Sequence, residues 1–199
     1  MCRVITISRQ FGSGGRSIGK AVAEKLGWKF YDREIVEKTA AESGFSPKFI
    51  EESGEYAGAT NSLLFNLSVA GAAMGNGRMS LYDEIYVTQK KIIEQLAEDG
   101  NCVIVGRCAD YILRNRSDVL NVFIYSDTKS RAERITRLYG TTDKSAESRL
   151  AEKDKKRRVY YKNYTDRSWG DFNNYHISLN SGFIGIDKCA DVIEELARM

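Results

Sequence analysis

Hydrophobic and polar positions follow two different periods along this chain, and the two periods alternate. Short runs of β-branched and other apolar residues predict buried strands. These runs are residues 3–8, 28–31, 102–105, 119–125 and 176–179. Between them, apolar residues recur at the spacing of an amphipathic helix. The helices predicted in this way are residues 17–26, 33–43, 47–53, 61–74, 80–99, 127–139, 145–164 and 187–199.

Strands that alternate with helices predict an α/β fold with a mostly parallel sheet, although this pattern does not determine the order of the strands. Residues 44–79 are rich in Gly, Ala, Ser and Asn, which indicates an inserted and less tightly packed segment. In parallel sheets, ligands bind at the carboxyl ends of the strands. We therefore looked for candidate chemistry at residues 9–17, 32, 106–107 and 126–127, which follow the predicted strands.

The loop after the first strand has the composition of a phosphate-binding loop. A glycine-rich turn that leads into a helix directs backbone N–H groups and the positive end of the helix dipole at an anion. Arg16 can add a fixed positive charge, and Ser17 lies in the first helical turn, where a P-loop places the hydroxyl that binds Mg²⁺. The predicted phosphate ligands are Gly12, Ser13, Gly14, Gly15, Arg16 and Ser17.

Alternative interpretations of this loop remain open at this point. The strict G-x-x-x-x-G-K-[ST] pattern is absent, because a partial match ending at Gly19-Lys20 is followed by Ala21. The dinucleotide-binding pattern fails at Ser17, but Asp32 follows Gly12 at the spacing of its acidic residue, so an NAD(P)-binding Rossmann domain stays an alternative. The loop could also be only a flexible turn.

Composition and charge narrow the possible classes of protein. Of 199 residues, 42% are apolar and 29% are charged, which is usual for a globular protein. The net charge of +3 does not indicate a nucleic-acid partner. No apolar run approaches the roughly 18 residues of a membrane span, and the N-terminus lacks the features of a signal peptide. We expect a cytoplasmic protein with no membrane partner and no nucleic-acid partner, and with four reduced, mostly buried cysteines. His176, the one histidine, is interpreted as structural.

Several segments resemble the cytidylate kinase-like branch of P-loop kinases. They are residues 8–16 (SRQFGSGGR), 103–107 (VIVGR) and 160–165 (YYKNYT), the last followed by Trp169 and Asp171. The resemblance spans nearly the whole chain and is weakest over residues 44–79. It implies a P-loop NTPase fold in a single domain, whose core comprises residues 1–32, 80–140 and 171–199. It also implies a flap for the nucleoside monophosphate at about 33–80 and a lid at about 141–170.

The resemblance also implies an activity and roles for individual residues. The activity is phosphoryl transfer from ATP, with Mg²⁺, to a nucleoside monophosphate, and CMP or dCMP is the expected acceptor. Asp32, Lys38 and Arg107 match positions that bind the acceptor nucleotide. The basic residues of the lid resemble those that close over the transferring group, and together with Arg16 they are the predicted catalytic residues. These lid residues are Lys153, Arg157 and Arg158.

The sequence departs from the family pattern at four positions. Gly15 stands at the P-loop lysine, Arg9 at the first glycine of the loop, Val105 at an acidic residue that supports Mg²⁺, and Cys108 at an aspartate. A nucleotide-binding module without useful turnover, and a kinase with a non-nucleotide acceptor, are therefore alternatives.

The basic stretch of the lid has other interpretations as well. It could be a solvated helix face. Its neighbouring tyrosines Tyr160, Tyr161 and Tyr164 would suit stacking on single-stranded nucleic acid. Arg131, Arg134 and Arg137 recur at every third position and could line the donor base or be merely exposed.

Overall fold

The protein is built around a parallel five-stranded sheet with helices on both faces. In this computed structural model, residues 2–53 and 80–199 are described, so the predicted helix at 61–74 lies outside the described residues. The sheet order is β2-β3-β1-β4-β5. The strands are β1 Val4–Arg9, β2 Lys29–Tyr31, β3 Cys102–Val105, β4 Val119–Tyr125 and β5 Ile177–Asn180. The predicted fold class is confirmed.

The helices of the described residues follow the predicted pattern closely. They are α1 Gly15–Leu26, α2 Arg33–Ser43, α3 Pro47–Ser53, α4 Leu81–Asp99, α5 Ala109–Ile112, α6 Thr128–Tyr139, α7 Ala146–Thr165, α8 Ser181–Ile184 and α9 Ile186–Arg198. Three predicted start residues, Ser80, Asp127 and Ser145, prove to be N-caps, because each side chain accepts a hydrogen bond from a backbone N–H three residues later.

The predicted start of α1 was wrong, and three short elements were not predicted. Helix α1 begins at Gly15 and not at Ser17, because Gly14 adopts a left-handed conformation (φ 82°) that turns the loop directly into the helix. The short elements α5, α8 and a 3₁₀ turn at Phe172–Asn174 were not predicted, since three or four residues are too few to show a period.

The two faces of the sheet carry separate hydrophobic cores. Side chains alternate between the faces along β1, as in any strand. Helices α1 and α9 pack on the face that carries Ile5 and Ile7, whereas α2, α4 and α5 pack on the face that carries Val4. Burying one isoleucine contributes about 1.5–3 kcal/mol. Both cores fix the position of β1 and therefore the position of the loop that follows it.

Strand β1 lies at the centre of the sheet. Val4 pairs with Cys102 of β3 on one side and with Val119 of β4 on the other. The chain first builds β2 and β3 to one side of β1 and then crosses to β4 and β5. Ligands of such sheets bind where this direction reverses, at the carboxyl ends of the strands. The glycine-rich loop begins at this point.

Other sequence expectations can be compared with the structure. Cys102, Cys108 and Cys189 are buried and Cys2 is half-buried, and none of the four forms a disulfide among the described residues. The expected burial of most cysteines is confirmed. In the part of the chain that the structure describes, no helix has both the length and the apolar character to span a membrane.

The histidine is part of the sheet. The Nδ1 atom of His176 accepts a hydrogen bond from the backbone N–H of Asn121 at 3.0 Å. The backbone N–H of His176 donates to the Asn121 carbonyl at 2.9 Å. These contacts extend the β4–β5 pairing by one residue. They agree with the structural interpretation.

Candidate functional site

The glycine-rich loop is held at both ends by neighbouring elements of the sheet. The backbone N–H of Gln10 donates to the carbonyl of Ile124 in β4 at 2.9 Å. The buried Ser13 hydroxyl lies 2.9 Å from the Gln10 carbonyl and 3.1 Å from that of Ile124, and the Ser181 hydroxyl donates to the Ser13 carbonyl at 2.6 Å. The loop is therefore rigid, although it contains three glycines.

The glycines are required by backbone conformation and by close packing. Gly14 adopts φ 82°, and a Cβ atom there would lie 2.3 Å from Cδ1 of Ile186. Because Gly14 is the N-cap of α1 and has no side chain, it cannot accept hydrogen bonds from the first N–H groups of the helix. Such N–H groups bind anions at helix N-termini in general, and phosphate binding by this loop stays a prediction.

A buried ion pair fixes the loop from below. The carboxylate of Asp154 in α7 accepts a hydrogen bond from the backbone N–H of Phe11 at 2.7 Å and another from Nη1 of Arg131 at 2.6 Å. Nη1 of Arg131 also donates to the Phe11 carbonyl at 3.2 Å. One carboxylate and one guanidinium thus hold both backbone polar groups of Phe11.

Arg157 joins the same contact between α7 and the loop. Its Nη1 donates to the carbonyl of Arg9 at 2.9 Å, and its guanidinium lies 5.8 Å from the ring centre of Phe11. The Arg157 side chain is only 5% exposed. The interpretation of the basic stretch as a solvated helix face is therefore wrong for Arg157. It holds for Arg158, which is exposed, whereas Lys153 is half-buried.

The tyrosines of α7 are part of an aromatic core and not of an exposed stacking surface. Tyr160 and Tyr161 are buried, and Tyr164 stacks on Tyr86 of α4 with ring centres 4.1 Å apart. Burial raises the pKa of Tyr164 above its ordinary value. The alternative in which these tyrosines stack on nucleic acid is wrong for Tyr160 and Tyr161, because their rings do not reach solvent.

Two predicted site residues meet at the rim of the loop. The Nε atom of Arg16 donates to Oδ2 of Asp32 at 2.6 Å, which connects the start of α1 to the end of β2. The Arg16 side chain is 64% exposed and that of Asp32 is 15% exposed. The structure thus joins a predicted donor ligand to a predicted acceptor ligand.

Arg107 lies at the carboxyl end of β3, next to the loop. It is 4% exposed and adopts φ 59°, between Gly106 at φ 77° and Cys108 at φ 56°. Left-handed conformations of two successive non-glycine residues cost free energy, and such strain concentrates at functional sites. Lys38, by contrast, is exposed on α2, and no hydrogen bond or ion pair joins it to the other predicted site residues that the structure describes.

Asp110 is a candidate site residue that was not predicted from the sequence. It is buried beside the ends of β1 and β3, where it accepts hydrogen bonds from the hydroxyls of Tyr161 at 2.6 Å and Ser8 at 3.4 Å. Burial and then the Asp110 carboxylate raise the pKa of Tyr161. The family pattern has acids directly beside Gly106 and Arg107, where this chain has Val105 and Cys108. Asp110 supplies a carboxylate near these positions from the short helix α5.

A cleft of about 310 Å³ opens beside the loop on the side of β5. It is lined by Gly12, Ser13, Arg134, Arg137, Gly182 and Ile186, among others. Two of the three arginines that recur in α6 therefore line this cleft, and their contact with the base of a donor stays a prediction. The third, Arg131, is buried in the ion pair below the loop.

The predicted Mg²⁺ ligand has a different partner in this structure. The Ser17 hydroxyl accepts a hydrogen bond from Nη2 of Arg134 at 2.9 Å. A guanidinium repels a divalent cation at that distance, so Ser17 does not suit Mg²⁺ in this arrangement. A metal ion at Ser17 would first require Arg134 to move.

Comparisons with known proteins agree with this architecture. A sequence profile described as the cytidylate kinase-like family matches residues 4–182. A cytidylate kinase of Archaeoglobus fulgidus is 30% identical over 95% of this chain and 91% of its own length.

Solved structures agree as well. An uncharacterized protein from Eubacterium ventriosum has a TM-score of 0.72 and 25% identity, over 98% of each chain. Shikimate kinase from Acinetobacter baumannii has a TM-score of 0.56 and 15% identity, over 98% of this chain and 93% of its own, which shows that the two share a fold. The fold is that of P-loop kinases.

Proposed function

We propose that this chain, which belongs to the cytidylate kinase-like family, is a kinase that transfers the γ-phosphoryl group of ATP to a nucleoside monophosphate, with CMP or dCMP as the preferred acceptor. One observation carries the proposal. The uncapped N-terminus of α1 and the buried Arg107 lie at the ends of the adjacent strands β1 and β3. Two anion sites side by side suit a reaction between two phosphate groups.

The chemistry needs little beyond positioning and charge. The loop N–H groups of residues 12–17 hold the β- and γ-phosphates of the donor. Arg107 holds the acceptor phosphate, helped by Lys38 when the flap brings α2 closer, and Asp32 contacts the acceptor nucleotide. An oxygen of the acceptor phosphate forms a bond to the γ-phosphorus. The bond from that phosphorus to the β–γ bridging oxygen breaks, and its electron pair leaves with ADP.

The predicted catalytic cations fall into two groups. Arg16 lies at the rim and would exchange Asp32 for a phosphate oxygen when a nucleotide binds. Arg157, Arg158 and Lys153 belong to the proposed lid at about 141–170, of which α7 is the described helix. Arg158 is exposed and Lys153 is half-buried. Arg157 would first have to release the carbonyl of Arg9, to which it donates. Lid closure excludes water and so suppresses hydrolysis of ATP.

The proposed donor is ATP, whose base would occupy the cleft beside Arg134 and Arg137. Mg²⁺ accompanies the triphosphate in phosphoryl transfer and neutralises its charge. Ser17 as a ligand of this ion stays a prediction, because it depends on the release of Arg134. The proposed acceptor flap at about 33–80 includes α2 and α3.

The direct test is ADP production with Mg²⁺-ATP and a panel of acceptors: CMP, dCMP, UMP, AMP, GMP and no acceptor. We expect turnover that depends on the acceptor and is highest with a cytidine nucleotide. Arg107→Ala should abolish it, because the acceptor phosphate loses its buried cation. Arg198→Ala removes an exposed arginine that pairs with Glu194 in α9, and it should leave turnover unchanged. Turnover that is equal for all acceptors would contradict the proposed specificity.

A second candidate is a module that binds ATP without useful turnover. The observation that favours it is Val105, which is buried and apolar at the position where the family pattern has an acid. ATP binding in calorimetry without turnover on any acceptor of the panel would favour this candidate, or an acceptor outside the panel.

A further inference from the structure

The cation and the glycine of a standard phosphate loop have changed places in this chain. The standard pattern begins with a glycine, and its seventh position is the lysine that reaches the β- and γ-phosphates. Here Arg9 stands at the glycine position and Gly15 at the lysine position. The positive charge is thus kept but starts from the opposite end of the loop.

The structure shows that the two changes depend on each other. A Cβ atom added at Gly15 would lie 2.5 Å from Cβ and 2.9 Å from Cγ of Arg9. The Cβ and Cγ atoms of Arg9 therefore pack against the α-carbon of Gly15. They fill the space that the first atoms of a lysine side chain would need. With arginine at position 9, only glycine fits at position 15 without a shift of the chain.

The backbone of Arg9 is held firmly enough to aim its side chain. Arg9 is the last residue of β1 and pairs with Ile124 of β4. Its carbonyl accepts the hydrogen bond from Arg157 at 2.9 Å, and the residue is 7% exposed. Its side chain therefore starts from a rigid position at the base of the loop, beside the first residue of α1. A guanidinium has a planar fork of donors that matches phosphate oxygens.

Arg16, the other candidate for this role, is in a different situation. Its side chain is mostly exposed, and its Nε is bound to Asp32 at the end of β2. It thus lies at the mouth of the loop on the side of the acceptor, whereas the stem of Arg9 lies against the loop itself.

We propose that Arg9 takes the part of the P-loop lysine, so that its guanidinium donates hydrogen bonds to the β- and γ-phosphate oxygens of the bound nucleoside triphosphate, and that Arg16 acts only at the rim. The inference rests on the proposed function, since it names the group that binds the donor in that reaction. It assigns a role that neither the loop pattern nor the family resemblance gave to Arg9.

The test moves the positive charge from position 9 to position 15, where the standard loop has its lysine. Four variants are compared with the wild type: Arg9→Ala, Gly15→Lys, the double variant Arg9→Gly/Gly15→Lys, and Arg16→Ala. For each, ATP affinity is measured by calorimetry, turnover by ADP release, and folding by circular dichroism and thermal unfolding. Arg9→Ala should weaken ATP binding about tenfold to a hundredfold, the value of charged hydrogen bonds. Gly15→Lys alone should bind ATP poorly, because the new side chain meets the Arg9 stem.

The double variant decides between a local defect and an exchange of roles. It should recover ATP affinity to within about tenfold of the wild type, since it restores the glycine and the lysine of the standard loop at positions 9 and 15. Arg16→Ala should weaken ATP binding less than Arg9→Ala does, because Arg16 lies at the rim and is mostly exposed. The inference is overturned if folded Arg9→Ala binds ATP like the wild type, or if the folded double variant fails to bind it. Where Arg9→Ala does not fold, the double variant carries the test.

The two proposals fail in different ways. If the wild type turns over nucleotides and Arg9→Ala keeps its ATP affinity, the role of Arg9 is wrong and the kinase activity stands. If the wild type binds ATP but has no turnover, while Arg9→Ala loses affinity, the kinase activity is wrong and the role of Arg9 stands.

Discussion

Two ion pairs flank the phosphate loop, and they have the same length but opposite surroundings. Arg131 and Asp154 lie 2.6 Å apart below the loop, with side chains 10% and 7% exposed. Arg16 and Asp32 lie 2.6 Å apart at the rim, where the arginine is mostly exposed. Breaking a buried pair leaves an uncompensated charge away from water, whereas an exposed pair contributes little. The lower pair therefore positions the loop, whereas the upper pair can open at little cost in free energy, as the proposed function requires.

The largest effect is expected when the buried pair is broken. Asp154→Asn removes the charge that Arg131 and Arg157 face and weakens the hold on Phe11. The free energy of unfolding should fall by about 3–5 kcal/mol, measured by equilibrium urea unfolding. Glu152→Gln is the control, because Glu152 lies in the same helix but is 41% exposed and pairs with the exposed Lys144 and the half-buried Lys156. This variant should cost less than about 1 kcal/mol. An equal loss in both variants would contradict the comparison.

A smaller effect is expected from a change in the loop itself. Gly14→Ala places a side chain on a left-handed backbone, which costs about 1–2 kcal/mol, and its Cβ meets Ile186. Gly27→Ala is the matched control, since Gly27 has φ 68° and nothing within 4 Å of the added Cβ. Thermal unfolding should show a larger loss for Gly14→Ala, and only this variant should lose ATP affinity. If both variants unfold alike, packing against Ile186 contributes nothing to the loop.

The exposed face of α7 should show a weak dependence on pH. Hydrogen bonds from Lys144 and then Lys156 lower the pKa of Glu152 from 4.5 to about 2. A lowered pKa in the folded state stabilises the protein above the unfolded value, so this contribution is complete above about pH 5 and is lost as the pH falls toward 2. The difference in unfolding free energy between the wild type and Glu152→Gln should shrink over that range. Its size should stay below about 1 kcal/mol, since water screens the pair. A constant difference from pH 6 to pH 2 would show that these ion pairs are not formed in solution.

The smallest effect on stability is expected at the rim. Arg16→Ala and Asp32→Asn should each change the free energy of unfolding by less than about 1 kcal/mol, with a coupling energy of only a few tenths in the double variant. Urea unfolding of the four proteins measures this coupling. A coupling above about 2 kcal/mol would mean that the rim pair is as structural as the lower pair.

Features that depend on neighbouring residues could be predicted from the sequence. The bounds of α2, β3 and β4 agree with the prediction, because a run of apolar residues and a helical period are complete within a few positions. The glycine-rich loop between β1 and α1 was predicted for the same reason, since Gly12, Gly14 and Gly15 lie within four positions. The predicted start of α1 was two residues too late, because the left-handed conformation of Gly14 does not change the spacing of apolar residues.

Contacts between distant residues could not be predicted. The sequence shows a run of charges at 153–158, but it does not show that Asp154 and Arg157 point at a loop formed by residues 9–11. The order of the strands was open for the same reason. The exchange of Arg9 and Gly15 was visible as two departures from a pattern, yet only the distance between their atoms shows that one requires the other.

The central position of β1 has a consequence for the synthesis of the protein. Strand β1 pairs with Cys102 of β3 and with Val119 of β4, so it is synthesised well before both of its partners. Until then the segment that carries the phosphate loop has no sheet to join, and closing such long loops is slow. If the proposed function is right, a truncated chain that ends before β4 binds no nucleotide, and donor binding reports that the sheet is complete.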